Sequence, residues 1–390
     1  MKLLKSLLWA CLICIFVLSG NVSLAASGAP DFSSEPSTNA GQKWRIAYYE
    51  GGPYFEYQKV LLATVRGLMD LGWIEPAQPP SLSGEETDGL WKWLSSSIKS
   101  DYLEFLGDGH YSSNWDEDGN RKEISERVIK RLNSTRDIDL IIAMGTWAGE
   151  DLANDAHQVP TVVFAASDPV AAGIIESVDD SGVAHIHAAV DPDVYERQIR
   201  IFHEMTDFKK LGIAYENTIA GRSYAAVDVI EGVAKELDFE IVACHTQSDI
   251  PDLDAAGRSV ITCFENLVNK VDAIYVTMQG GVRSESIPTL VQTTNSRRIP
   301  TFSQAGSEEV AYGFLASISQ GNFEFVGRFN AKTIGKVFNG AMPGQLPQRF
   351  SPPPKIAINL KTAEIIDFNP PIILLGAADE IYDDIALPSQ

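Results

Sequence analysis

The sequence predicts an α/β protein of two similar lobes, each built on a parallel sheet, facing one another across a cleft. Three observations carry that expectation. The chain has 390 residues, more than one hydrophobic core usually organises. The stretch from Asp137 to Gly173 reads as strand, glycine turn, helix and strand. The same pattern returns about one lobe later, from Val271 to Gly306.

In the first copy, Leu140 to Met144 is a continuous apolar run, as in a strand covered on both faces. Gly145-Thr146 turns the chain, Trp147 to Ala156 reads as a short helix, and Val159-Pro160 leads into the strand Thr161 to Phe164. In the second copy, Val271 to Val276 is the apolar strand, with Asp272 near its start. Gly280-Gly281 turns it, Ser286 to Thr294 is helical, and Ile299-Pro300-Thr301-Phe302 repeats Val159-Pro160-Thr161-Val162. Each copy runs into a polar loop, Ser167-Asp168-Pro169 in one and Ser303-Gln304-Ala305-Gly306 in the other. A βαβ unit of this kind places helix N-terminal N–H groups at the carboxyl end of a strand. Open sheets bind ligands at that edge, and the N–H groups there favour an anionic group.

The remaining elements follow in order. Trp44 to Tyr49 is the first strand, Glu50-Gly51-Gly52-Pro53 its turn, and Tyr54 to Leu71 an amphipathic helix. Between Glu75 and Asp118 a Trp-rich helix near Leu90–Ile98 and a short strand at Tyr102–Phe105 are expected, then a helix at Ile124–Leu132. His185-Ile186-His187 falls in a linker-like passage before a helix at Pro192–Met205. Leu211 to Tyr215 opens the second lobe as a strand. A helix follows from Ser223, a plausible N-cap, to Leu237, then a strand at Phe239–Cys244 and a helix at Leu253–Asn269. Gly313–Ile318 is strand-like, Phe323–Phe338 helical and Ile356–Leu360 apolar, and Thr362–Tyr382 forms a terminal segment.

At the start of the chain, Lys2 and Lys5 precede an apolar run from Leu7 to Leu18, and Ser23-Leu24-Ala25 offers small residues at −3 and −1. That is a secretory signal peptide cleaved after Ala25, followed by a flexible Ser/Gly/Pro-rich leader over 26–42. Cleavage removes two lysines and no acidic residue, leaving 29 basic residues against 52 acidic ones. Such a balance argues against nucleic acid and against anionic lipid as partners. Two cysteines remain, Cys244 and Cys263, which form one disulfide or stay two buried thiols.

No Gly-rich phosphate loop, His-Glu-x-x-His pair or mature Cys-x-x-Cys is present, and Gly221 to Ala225 is only half a nucleophile elbow. The residues therefore point to no enzyme, no cofactor and no metal. The loops at strand ends are more informative. Tyr49, Glu50, Thr146, Trp147, Ser167, Asp168, His187, Tyr215, Asn217, Met278, Gln279 and Ser303 lie at or near such ends. They supply the aromatic faces, hydroxyls and amides of a small-molecule cleft.

Five blocks in this order carry a family resemblance: Asp139–Ala148, Val159–Ile175, Val271–Ser284, Ile299–Gly313 and Lys355–Pro371. Over roughly residues 43–382 the chain resembles the extracytoplasmic solute-binding proteins of ABC transporters, in the group that binds tryptophan and tyrosine. The resemblance implies two Rossmann-like lobes joined by crossing hinge strands, the type I periplasmic-binding-protein arrangement. Lobe 1 would span 43–185 with part of 314–350 returning to it, and lobe 2 would span 186–313 with 351–382 added and a tail over 383–390. It also implies a periplasmic monomer that passes a small ligand, an aromatic or aliphatic amino acid, to an ABC permease. Thr146 and Ser167 would hold a carboxylate or polar head, and Tyr49, Trp147 and Tyr215 would stack on the ligand. The family's Asn-x-Thr-Gly is replaced here by His185-Ile186-His187-Ala188, and the segment around 81–120 is longer and more aromatic than usual. The alternative with the same fold is a ligand-sensing subunit for a membrane kinase or chemoreceptor; a secreted hydrolase is a third.

Overall fold

The computed structural model describes residues 32–81, 84–319 and 323–387; the signal peptide expected over 1–25 lies outside them. Lobe 1 is built on β1 (Trp44–Glu50), β2 (Leu103–Ser112), β3 (Leu140–Met144), β4 (Thr161–Phe164) and β5 (Ile186–Ala188). All four pairings are parallel, in the order β2-β1-β3-β4-β5. Its helices are α1 (Phe55–Asp70), α2 (Asp88–Ser97), α3 (Lys122–Ser134) and α4 (Gly145–Leu152). β1, β3 and β4 are almost wholly buried, which is why their sequences are unbroken apolar runs rather than alternating ones.

Lobe 2 begins with α5 (Val194–Thr206) and continues through β6 (Lys210–Tyr215), α6 (Ile219–Tyr224), α7 (Val227–Leu237), β7 (Glu240–His245) and α8 (Leu253–Leu267). Then come β8 (Ala273–Val276), α9 (Ile287–Ser296), β9 (Thr301–Ser303), α10 (Ser307–Ala311) and β10 (Ala316–Ser319). α11 (Phe323–Phe338) returns to pack on α1 in lobe 1, where the Gly67 and Gly327 backbones meet too closely for a Cβ on either. Asn330 donates to Thr64 Oγ1 across that contact (3.0 Å). The chain then re-enters lobe 2 as β11 (Lys355–Asn359), α12 (Leu360–Ile366), α13 (Ile372–Ala377) and β12 (Glu380–Tyr382). The sheet order is β12-β11-β10-β9-β8-β6-β7, with only β10–β11 antiparallel. Two of the crossing segments are joined at the hinge: Val190 N–H donates to Gln348 O and Phe350 N–H to Val190 O, each at 2.9 Å.

The internal repeat is structural. Asp139 accepts from Arg45 N (2.8 Å) and Asp272 from Lys210 N (2.9 Å), so each aspartate anchors its lobe's first strand. Ile141 N–H donates to Pro160 O and Ile274 N–H to Pro300 O, both at 3.0 Å. The proline in each copy keeps a carbonyl for the neighbouring strand while its ring ends the preceding connection.

Several expectations are corrected. From Phe32 on, the leader is docked: Trp73 Nε1 donates to Ser34 O and Trp44 Nε1 to Ser37 O, each at 2.9 Å, and Phe32 packs on the lobe 1 core. Buried indole N–H groups need acceptors, and this segment's carbonyls supply them. The stretch around Ile186 is not a linker opening lobe 2, because Ile186, His187 and Ala188 pair with β4 as the edge strand of lobe 1. Ser223 caps no helix; the helix expected from it splits into α6 and α7, and Thr218 caps α6 through Gly221 N–H. Of the two alternatives open for Cys244 and Cys263, the structure has the disulfide, tying β7 to α8 with a Cα–Cα distance of 5.6 Å. Among the described residues no helix is long and apolar enough to cross a membrane.

Candidate ligand-binding site

The carboxyl ends of both sheets face one another, and the lobes are drawn together around a cavity. Ser223 Oγ on α6 donates to Asp168 O of lobe 1 (2.8 Å), Lys59 pairs with Glu308, and Arg283 reaches Glu85 at 3.7 Å. Between these contacts lies a narrow front cavity lined from both lobes.

Lobe 1 supplies an aromatic wall of Tyr54, Tyr57, Trp115 and Trp147. Its placement starts at the Gly51-Gly52 turn after β1, where a Cβ at Gly52 would stand 2.5 Å from the Trp115 ring. Trp115 therefore lies flat on bare backbone, fixed by Nε1 donating to Pro53 O (2.8 Å), and meets Trp147 edge-on at 5.2 Å. Gly145 begins α4 at φ +84°, and a Cβ there would stand 1.8 Å from the Tyr57 hydroxyl oxygen. Only glycine permits both that left-handed turn and that approach. The turn presents Thr146 to the cavity at the helix N-terminus, beside Ser167 from the loop after β4. Outside Trp147, Arg121 lies over its ring at 4.4 Å and pairs with Glu150 and Asp151.

Lobe 2 supplies Tyr224, Asp249, Met278, Gln279 and Gly280. Gln279 is held from every side: Thr246 and Ser248 hydroxyls donate to its Oε1 (2.8 and 2.7 Å), and its Nε2 donates to Ala214 O. Asp249, 9 % exposed, is positioned by its own N–H donating to Glu216 (2.8 Å), with the Tyr224 hydroxyl 3.4 Å from its carboxylate. Burial, reinforced by the Glu216 charge, pushes its carboxyl up to about 8. Glu56 lines the same cavity from α1, and burial pushes it up to about 7 against the pull of Lys59. No lysine or arginine lines the front cavity among the described residues.

Of the residues singled out in the sequence, Thr146, Trp147, Ser167, Met278 and Gln279 come together here. The others do not line this cavity. The Tyr49 ring is buried in lobe 1 with its hydroxyl donating to Asp151 (2.5 Å), and Tyr215 is buried against His245. Glu50 accepts from the Tyr48 and Thr87 hydroxyls (2.7 Å each), and burial raises its carboxyl to about 7. Asp168 caps its own turn at Ala171 N–H (2.9 Å), while Asn217 is exposed. Ser303 is buried and donates to Glu309 (2.6 Å). His187 is fully buried at the hinge, its Nε2 3.0 Å from Pro347 O. The lining residues that sequence reasoning missed are Tyr54, Glu56, Tyr57, Trp115, Tyr224 and Asp249.

Two α/β lobes facing one another across an interlobe cavity define the type I periplasmic-binding-protein fold. The ABC transporter substrate binding protein family matches residues 112–381, well over half of the chain, and the chain belongs to that family. It is 27% identical over 231 residues to a tyrosine-binding protein of Clostridioides difficile; the match covers 59% of this chain and 63% of that relative, just under two thirds of its length. The fold is shared with an ABC domain from Streptococcus pneumoniae solved in complex with L-Trp, at a TM-score of 0.65 and 20% identity, covering 87% of this chain and 100% of that one. It is also shared with a conserved domain protein from Vibrio cholerae, at a TM-score of 0.63 and 18% identity over the same shares.

Proposed function

We propose that the protein is the extracytoplasmic solute-binding component of an ABC import system and that the front cavity captures an aromatic amino acid. The observation that carries this reading is the division of labour between the walls. Lobe 1 offers aromatic rings, and lobe 2 offers Asp249, a buried carboxylate with no basic side chain within ion-pair distance among the described residues. A side-chain ring packs against the wall that Trp115 and Trp147 form together, and the ammonium group pairs with Asp249, which the ligand's charge holds ionised. The ligand carboxylate is received by the Thr146 and Ser167 hydroxyls and the N–H groups opening α4. Neither lobe binds the whole ligand alone, so the ligand favours the closed form, and a permease distinguishes loaded from empty protein by that closure. A tyrosine-binding relative is consistent with this class of ligand.

The test is a titration of the mature chain with L-tyrosine, L-tryptophan, L-phenylalanine and non-aromatic amino acids, followed by tryptophan fluorescence and calorimetry. One aromatic amino acid should bind one-to-one, with Thr146→Val and Trp147→Ala each weakening it. Failure of every amino acid to bind, or unchanged affinity in both variants, contradicts the reading.

A further inference from the structure

Behind the front cavity, toward the hinge, the cleft continues into a second, roomier chamber of about 290 Å³, open in part to solvent. The two spaces meet at a waist formed by Glu56, Ala165, Ser167 and Met278, which line both. Beyond the waist the walls are mixed: Phe55, Phe164, Val194 and Val326 give an apolar side, and Asp191, Glu308 and Lys355 line the space with charge. The polar amides there are already engaged: Gln304 Oε1 accepts from Met278 N–H (2.9 Å), and Asn330 donates to Thr64.

Two carboxylates stand apart from this pattern. Glu309 is 5 % exposed and receives one hydrogen bond, from Ser303. Glu56 stands at the waist. The cations at the chamber form their ion pairs with other acids: Lys59 with Glu308, Lys355 with Glu380 and Arg197 with Asp191, although the Lys59 charge also draws on Glu56 and Glu309. Among the described residues neither Glu56 nor Glu309 has a basic side chain within ion-pair distance, and burial drives both carboxyls up to about 7. A buried carboxylate with no ion-pair partner, as at Glu309, costs free energy that a bound cation recovers.

We propose that the hinge-side chamber is a second subsite, for an alkylammonium group on an apolar chain, with Glu56 and Glu309 as its counter-ions. The ammonium sits at the acidic end and the chain against the phenylalanine and valine walls. The group belongs either to a separate amine or to the arm of a longer ligand whose ring occupies the front cavity. The assignment stands on the chamber and does not require the amino-acid reading of the front cavity.

The experiment is calorimetric titration of n-pentylamine into the mature chain, alone and saturated with L-tyrosine, repeated with Glu309→Gln, Val326→Trp and Asp249→Asn. Pentylamine should bind one-to-one. Glu309→Gln should weaken it about tenfold or more through the lost charge-assisted contact. Val326→Trp, which fills the chamber from α11 without removing a charge, should abolish it, and Asp249→Asn should leave it unchanged. Retained binding beside saturating tyrosine assigns the group to a separate amine. Competition that still responds to Glu309→Gln and Val326→Trp assigns it to a ligand arm; both results support the subsite. Absence of pentylamine binding, or binding indifferent to both chamber variants, overturns it. Loss in Asp249→Asn alone also overturns it. Pentylamine binding without tyrosine binding would sink the front-cavity reading and leave this one standing.

Discussion

The two walls of the cleft come from equivalent loops of a repeated βαβ unit, yet they are built in opposite ways. After β3 the Gly145 turn releases Thr146 and Trp147 toward the cavity, whereas after β8 the corresponding Gln279 is tied down by Thr246, Ser248 and the Ala214 carbonyl. In the loop after β4, Ser167 lines the cavity; at the end of β9, Ser303 turns inward and holds Glu309. Lobe 1 thus presents mainly rings, and lobe 2 a tied-down polar frame from which Tyr224, Asp249 and Met278 face the cavity. A repeated fold fixes where loops converge, while the partners within each loop decide which side chains are left free for a ligand.

The largest expected difference between the lobes is covalent. Lobe 2 carries the disulfide between Cys244 and Cys263, and lobe 1 carries none among the described residues. Reduction, or the paired change of both cysteines to serine, should cost about 2–4 kcal/mol. Calorimetry should place that loss in lobe 2, and an unchanged transition would show that β7 and α8 are held without it. Next comes Asp249→Asn, which keeps the shape and removes the charge. Affinity for an ammonium ligand should fall by about 1.5–3 kcal/mol, read by titration with the fold checked by circular dichroism. Trp115→Ala should cost less, about 1–2 kcal/mol of affinity, because Trp147 and the two tyrosines still cover the ring. An equal or larger loss than at Asp249 would reverse the ranking of the walls.

The smallest effect separates the lobes by pH. Burial lowers His110, His157 and His187, all in lobe 1 or its hinge strand, to about 4 from an ordinary value near 6.5. The unfolded chain then binds more protons than the folded one between those values, so this stabilisation is present above about pH 6.5 and is lost as pH falls toward 4. The raised carboxyls of Glu50 and Glu56 in lobe 1 and Glu309 in lobe 2 act in the opposite sense, their contribution being present at low pH and lost as pH rises through about 7, and offset part of the histidine effect. Denaturant unfolding at several pH values should show lobe 1 weakening on acidification, and His157→Phe should flatten that slope. An unaltered slope would place the acid sensitivity elsewhere.

The repeat was legible because strands buried on both faces leave unbroken apolar runs, and Val159-Pro160 and Ile299-Pro300 mark the same junction twice. Thr146, Trp147, Ser167, Met278 and Gln279 were legible because they follow a strand end directly. Tyr49 and Glu50 were not, because β1 runs on through Glu50. Alternation puts Tyr48 and Glu50 on one face and Tyr49 on the other, both faces inside lobe 1. The cavity-facing tyrosines come only after the glycine turn, at Tyr54 and Tyr57. Trp115 belongs to the long aromatic segment whose pattern is weak, and its role depends on Gly51 and Gly52, more than sixty residues earlier. Asp249 follows β7 by four residues in a loop ordered by Glu216, a partner that spacing does not reveal.

The central claim is that an ammonium group on Asp249 and an aromatic ring on the lobe 1 wall are gripped together. The most direct measurement compares L-tyrosine with its deaminated analogue, 3-(4-hydroxyphenyl)propionate, by calorimetry at neutral pH. The two share ring and carboxylate and differ only in the ammonium. L-tyrosine should bind about a hundredfold more tightly, or with the analogue undetected, as loss of a buried charge partner requires. Equal affinity of the two compounds would contradict the account and move recognition away from Asp249.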